Sequence, residues 1–520
     1  MYDYVIVGAG SAGCVLANRL SEDPQTTVLL LEAGETDERQ EIHIPAAFPK
    51  LFGTSVDWGY TTEAEPHLDA RKLYWPRGKM LGGSSSLNAM IYIRGNRADY
   101  DRWRDQGNDG WGYDQALSYF KKAENQERGA SLFHGVGGPL NVMDRPYTNP
   151  LSQAFVEAGV ELGFERNDDF NGAAQEGFGA YQVTQKQGRR HSAAVAYLHP
   201  ARSRPNLTVQ TQALVTRIVF EGTRAVGVAY AKGGVEEQVG VNREVILSGG
   251  AINSPQVLLL SGVGPADHLR RLNIGVVADV PGVGRHLQDH LYVRVSYACT
   301  QPVSLAGLET QENLDTYIHD QSGPFTSNLG ETGAFVKSTP TAGEPDLQYH
   351  FIPALLGVTP PAGHFFTIGP TLVCPQSEGY LVLRSTDPTH RPAIFANYLE
   401  RDADLRVLVE GIKLARRLGQ AHGFDAYRGA ETLPGSAATS DADLVAYIRS
   451  NAQTIWHPVG TCKMGRDELA VVDEQLQVRG VEGVRVIDAS VMPRIVNGNT
   501  NAPTIMIAEK GADLLKGRVG

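Results

Sequence analysis

Apolar residues fall in two short unbroken runs near the N-terminus, at 4–7 and 28–31, and between them, over 11–20, they recur at helical spacing. The pattern predicts strand, helix and strand, a βαβ unit spanning 3–34. Helical spacing next predicts surface helices at 98–106, at 115–123 with Asp114 as N-cap, and at 149–163. The stretch 177–187 is strand-like, and 207–220 with 225–231 alternates as a hairpin should. Residues 244–248 form an apolar strand running into Gly249 and Gly250, and 250–264 reads as a loop entering a short helix with Pro255 in its first turn. From Tyr292 to about Ala430, strand-like segments such as 347–353 and 380–384 alternate with Pro/Gly-rich loops, which predicts a separate antiparallel layer. Residues 484–490 are a strand with an acid at its end, and a last helix runs to Leu515 with Asn501 as candidate cap and Pro503 in its first turn.

Composition changes this picture little. With 42% hydrophobic and 20% charged residues the chain is ordinary globular protein, and its 520 residues suggest two or three domains. A formal charge of -11 argues against a non-specific nucleic-acid binder, so a small-molecule partner is expected. Cys14, Cys299, Cys374 and Cys462 are scattered without a C-x-x-C pair, which fits a reducing compartment. The first strand begins almost at Met1, and no apolar run approaches the ~18 residues of a membrane span, so a cytoplasmic location is expected.

The candidate chemistry gathers in a few stretches. Gly8, Gly10 and Gly13 lie between the first strand and its helix: the first allows the turn, the second lets backbone approach a pyrophosphate, and the third lets helix pack on strand. Glu32 ends the second strand near the spacing of a ribose-binding acid, so a dinucleotide site is expected here. The stretch 35–67 is irregular and acidic at its start, suited to covering that ligand. A second Gly/Ser-rich stretch, 74–90, offers many N–H and hydroxyl donors; it reads as a phosphate- or flavin-binding loop, or as a linker, but linkers are not flanked by Trp, Leu and Met. His457 stands in a loop between Trp456 and Pro458. His286 and His290 have the i, i+4 spacing of some metal sites, with Asp289 beside them, but no H-E-x-x-H pattern supports a metal and none is expected.

These stretches, taken together and in order, resemble the glucose-methanol-choline (GMC) family of FAD-dependent oxidoreductases, within it most closely bacterial alcohol dehydrogenases of the choline dehydrogenase branch. The resemblance rests on GAGSAG with Glu32, GKMLGGSSSLNAM, GAINSPQVLLLSGVG, PGVGRHLQDH, WHPVGTCKMG, and DASVMP followed by GNTNAPT. It implies an α/β fold in which a Rossmann-like FAD-binding domain (1–150, 190–291 and 440–520) carries an inserted α+β substrate domain on an antiparallel sheet (151–189 and 292–439). It further implies that Gly8, Gly10, Ser11, Ala12 and Gly13 hold the pyrophosphate, Glu32 and Ala33 the adenosine ribose, and Val215 the adenine. Gly82, Gly83, Asn88, Ala89 and Met90 would lie along the flavin, with Trp456 against it or in plain core. Asp488, Ala489, Asn499, Thr500 and Pro503 would complete its binding. The loop with His286 and His290 is assigned to fold and cofactor packing. Where some members attach FAD through a histidine, this chain has Leu87, so non-covalent FAD is expected.

His457 falls on the family's catalytic histidine and Asn499 on its partner position. Alcohol oxidation needs a base for the hydroxyl proton and a hydrogen-bonding group that aims the carbinol C–H at flavin N5; an imidazole and an amide suit these roles. The expected function is oxidation of a primary alcohol to the aldehyde, with electrons passed to a quinone or other acceptor. An oxygen-using oxidase and, in another class, a non-redox lyase remain alternatives. An apolar stretch from Phe351 to Val358 and on to Phe366 suits an uncharged, fairly apolar alcohol rather than choline; it would line the entrance, touch the inner membrane peripherally, or serve as a core connection.

Overall fold

The computed structural model describes residues 1–355 and 363–518. Five strands form a parallel sheet in the order Leu207–Gln210, Val28–Leu31, Tyr2–Val7, Val235–Leu247, Val484–Val486. Both faces of its centre are covered, which is why the first two strands in sequence are apolar without alternation: Val28 to Leu31 are all buried. The helices Ser11–Leu20 and Asn501–Leu515 pack on each other beside it.

Val235–Leu247 has 13 residues and serves two layers. Its second half pairs in parallel with Tyr2–Val7, while its first half runs antiparallel to Arg224–Lys232, which pairs in turn with Leu214–Glu221. The expected hairpin is therefore half right. Leu207–Gln210 belongs to the parallel sheet, and only Leu214–Glu221 pairs with Arg224–Lys232. The alternation hides the break, where Gln212 takes a left-handed φ of 56° and donates its N–H to Gly34 O at 2.8 Å.

The expected antiparallel layer is an eight-stranded sheet: Gly177–Ala180, Thr332–Val336, Leu347–Ile352, Phe365–Leu372, Val295–Cys299 and Arg428–Leu433 lie in that order, and Leu291–Tyr292 pairs with both Phe365–Leu372 and Gln453–Thr454. One face is covered by the helices Pro150–Glu161 and Asp402–Gly419, where Phe155 stacks on Phe351 with ring centroids 5.0 Å apart and Tyr349 donates to Gly411 O at 2.8 Å. By strand alternation Gln348 and His350 point the other way, toward the site. Gln453–Thr454 leads directly from this sheet into Trp456 and His457.

Three local expectations are corrected. Helix Tyr113–Ala123 starts after Gly112, so Asp114 is in its first turn and not its cap. Pro255 lies inside helix Gly250–Leu260 rather than in its first turn; the carbonyl it leaves without an N–H, that of Ala251, accepts the hydroxyl of Thr461 at 2.6 Å. The last helix is preceded by Thr500, and Asn501 is its first residue, accepting at Oδ1 from Ser11 Oγ at 2.7 Å. Of the apolar stretch after Phe351, residues 356–362 lie outside the described residues. No helix among the described residues is long and apolar enough to cross a membrane.

Candidate functional site

A cavity of about 660 Å³ runs between the two layers. At one end it meets the Gly-rich turn. Gly8 has φ 99°, and a Cβ there would lie 2.7 Å from Ser248 O. A Cβ on Gly13 would lie 1.9 Å from Gly8 O, so that glycine lets helix meet strand; one on Gly10 would meet only Ser248 O, at 3.9 Å, so that glycine keeps the cavity open. The second glycine stretch docks here: Gly82 N–H donates to Ala9 O at 2.8 Å, and a Cβ on Gly83 would lie 2.7 Å from the Gly10 Cα.

Helices Ser11–Leu20, Gly250–Leu260 and Asn501–Leu515 all begin on the cavity wall, and in none does the side chain of the preceding residue cap the helix. Their N-termini make that wall attractive to an anion. Glu32 accepts the N–H groups of Ala9 and Gly34, each at 2.8 Å, and burial pushes its carboxyl up to about 7. Asp488 is held more tightly still: it accepts Gly250 N–H at 2.8 Å and Ser254 Oγ at 2.6 Å on one oxygen, and Ser490 N–H and Oγ on the other. Asn88 Oδ1 accepts from Arg190 Nη1 and Met90 N–H, both at 2.9 Å, so its NH2 is the end turned elsewhere.

At the far end stands His457. Trp456, whose own φ is 68°, aims it: its N–H donates to Thr454 Oγ1 at 2.7 Å and its carbonyl accepts Arg77 Nη2 at 2.5 Å. The Trp456 ring meets Phe52 edge-on at 5.1 Å. His457 N–H donates to Asp289 Oδ1 at 2.6 Å, and the other carboxylate oxygen takes the hydroxyls of Tyr398 and Thr454. The His457 ring lies 3.0 Å from His290 (Nδ1 to Nδ1) and 3.2 Å from Asn499 (Nε2 to Nδ2). Burial, then the neighbouring His290, His350 and Arg77, hold the His457 imidazole well below its usual range, and burial pushes His290 down to about 3. Both rings are neutral at pH 7.

Seventeen of the residues marked in the sequence line the cavity, from Gly8, Gly10, Ser11 and Ala12 through Glu32, Ala33 and Val215 to Trp456, His457, Asn499 and Thr500. Gly13, Gly82 and Pro503 lie behind its wall. His286 and His290 diverge: His286 contacts Pro493 O at 2.6 Å and Glu378 at 2.9 Å, while His290 turns to His457. Sequence reasoning assigned Asp289 and His290 to fold and cofactor packing and missed that they hold His457, a partnership across more than 160 positions that no local pattern signals. It also missed His350 and Asn328 on the wall, which no local pattern marks, and gave no role to Arg77 within the 74–90 stretch.

Two family models described as GMC oxidoreductase match residues 2–292 and 375–508. The chain is 48% identical to a mitochondrial choline dehydrogenase of Mus musculus, over 99% of this chain and 89% of the relative. It is 47% identical to an alcohol dehydrogenase [acceptor] of Pseudomonas putida, over 100% of this chain and 96% of the relative. Among solved structures, one of an Aspergillus oryzae formate oxidase, a variant made to study FAD modification, superposes with a TM-score of 0.93 at 28% identity, covering 100% of this chain and 98% of the other.

Proposed function

The chain belongs to the GMC oxidoreductase family, and from that premise we propose that it oxidises an uncharged primary alcohol to the aldehyde, with His457 as base and Asn499 as the group that holds the alkoxide. FAD is the cofactor. The residues present fit it: an open glycine cradle, three helix N-termini and a fixed acid at one end, and neutral hydrogen-bonding groups at the other. Bound there, it would supply the acceptor for the hydride that leaves the carbinol carbon.

The chain's own groups do the rest. His457 Nε2, neutral and on the cavity wall, is ready to take the hydroxyl proton, and the N–H of Asn499 beside it supports the developing negative charge. Trp456, Phe52 and His350 line that end of the cavity. Leu87, where some members carry a linking histidine, packs with Ile42, Leu51, Val56 and Met80, so the flavin is held without a covalent bond. Our reading keeps the division into an FAD-binding domain and an inserted substrate domain, supported by the separate parallel and antiparallel sheets.

The observation that carries the reading is the close approach of His457 Nε2 and Asn499 Nδ2 on the wall of a cavity that reaches the glycine turn. The preference for an uncharged substrate rests on a second one. Among the described residues the only acids on that wall are Glu32 and Asp488, both at positions placed for the cofactor, while Arg77 and Arg294 also face it. A quaternary ammonium finds no counter-charge there.

Anaerobic bleaching of the flavin by a panel of alcohols tests both points. Medium-chain and aromatic alcohols should bleach it with higher efficiency than choline, and the reverse order would refute the substrate claim. No bleaching by any alcohol would favour a lyase. Transfer of electrons to a quinone or other acceptor is the reading we prefer for the second half-reaction; oxygen uptake matching alcohol consumption would replace it by an oxidase.

A further inference from the structure

The side-chain amide of Asn499 has two orientations that differ in which end faces His457, and the hydrogen bonds around it select one. The chain of bonds starts at a group that cannot turn round, the backbone carbonyl of Tyr349. It accepts the hydroxyl proton of Tyr181 at 2.6 Å. A phenol has one hydrogen, so toward Gln348, 3.1 Å away, Tyr181 can only accept, and Gln348 must present its NH2. The same NH2 reaches Asn499 Oδ1 at 3.1 Å, which leaves the donor end of Asn499 facing His457 Nε2 at 3.2 Å. Nε2 is therefore the nitrogen with the lone pair, the ring proton sits on Nδ1, and it donates to His290 Nδ1 at 3.0 Å.

Two features mark this as more than filling. Gln348 is fully buried, yet its Oε1 has no hydrogen-bond partner. Turning the amide over would not help, because Oε1 would then face two oxygens, those of Tyr181 and Asn499. Gly333 makes the first link possible: a Cβ there would lie 2.0 Å from the Tyr181 hydroxyl and 2.2 Å from Tyr349 O. Neither Gln348 nor Tyr181 lines the cavity, so they act through Asn499 and not on substrate.

We propose that Gln348, anchored by Tyr181, is a positioning residue that holds Asn499 with its NH2 toward the reacting centre, keeping His457 Nε2 in its acceptor form with a donor already aimed at the alkoxide. The proposal rests on the roles given above to His457 and Asn499.

The test is the rate of anaerobic flavin reduction against pH in wild type, Gln348→Met, Tyr181→Phe, Asn499→Ala and the double variant Gln348→Met/Asn499→Ala, with FAD content measured in each. Gln348→Met should slow reduction about tenfold, the loss of one hydrogen bond, Tyr181→Phe should slow it less, and Gln348→Met should cost nothing further once Asn499 is alanine. Gln348→Glu gives a directional check that does not depend on the methionine variant folding. A carboxylate can only accept, so it takes the NH2 of Asn499 and turns Oδ1 to His457, which favours the protonated ring and moves the rise of rate with pH upward. A wild-type rate in FAD-replete Gln348→Met, an undiminished loss in the double variant, or an unmoved profile in Gln348→Glu overturns the proposal. A wild-type rate in Asn499→Ala removes the role of Asn499 itself, a distinct failure that takes the proposal with it.

Discussion

The imidazoles of His457 and His290 meet edge to face, Nδ1 to Nδ1 at 3.0 Å, so one ring carries the shared proton and the other the lone pair. Because burial depresses both, neither ring is charged near neutrality, and the pair is set for His457 to gain a proton rather than to lose one. The rate of anaerobic flavin reduction should rise with pH through a single step below 6.5, the ordinary histidine value, and be flat above it. His457→Ala should retain FAD, lose about 10²–10⁴-fold in rate and lose the pH step. A near-normal rate with an unchanged profile would move the base role to another residue.

Asn499→Ala should keep the pH step and lose less, roughly the 1.5–3 kcal/mol of a hydrogen bond to a charged group. In the double variant with His457→Ala the two losses should fall short of their sum, because both act on one step.

Gly10 and Gly13 should respond oppositely to alanine. Gly13→Ala puts a Cβ 1.9 Å from a backbone oxygen and should destabilise the protein by more than about 4 kcal/mol. Gly10→Ala meets only an atom 3.9 Å away; thermal unfolding of the apoprotein should barely change while FAD affinity falls at least about tenfold, ~1.4 kcal/mol.

Thr461→Val leaves the Ala251 carbonyl without its donor and should cost about 1–3 kcal/mol in urea unfolding. Pro255→Ala restores a backbone N–H one helical turn on, so the same threonine change should cost clearly less in that background. Equal costs in both backgrounds would show that Thr461 matters for another reason.

His134 offers a test of pH-dependent stability away from the site. Burial opposes its charge, but hydrogen bonds to Asp169 at 2.9 Å and Glu124 at 3.1 Å outweigh burial and raise its pKa above 6.5. A raised folded pKa means stabilisation that is full below the unfolded value and lost as pH rises through the folded one. The stability gap between wild type and His134→Gln should therefore be widest below pH 6.5 and narrow above it.

Much of this was legible because it is local. The Gly8–Gly13 turn, Glu32 and His457 stand in patterns set by neighbours in sequence, and the structure puts each at or just behind the cavity wall. What was not legible depends on partners far along the chain. Nothing near Gln212 signals that the strand before it pairs in a different layer from the strand after it. Gln348 looks like any polar residue in a strand; only folding brings it to Asn499, 151 positions away. Pro255 was read by a rule for first turns, but a hydroxyl from Thr461, 210 positions from Ala251, makes an interior place tolerable.

Ser11 and Asn501 join the first and last helices although 490 positions separate them, and Arg19 with Glu509 repeats the link about two turns further on. A chain emerging from the ribosome at ≈ 5–20 residues per second makes the glycine turn roughly 25–100 s before the residues that close it exist. His457, Asn499 and the last helix N-terminus all arrive in that final stretch. The N-terminal unit must therefore wait through most of synthesis with its cavity half built, and the wall is closed only once the last helix has been made.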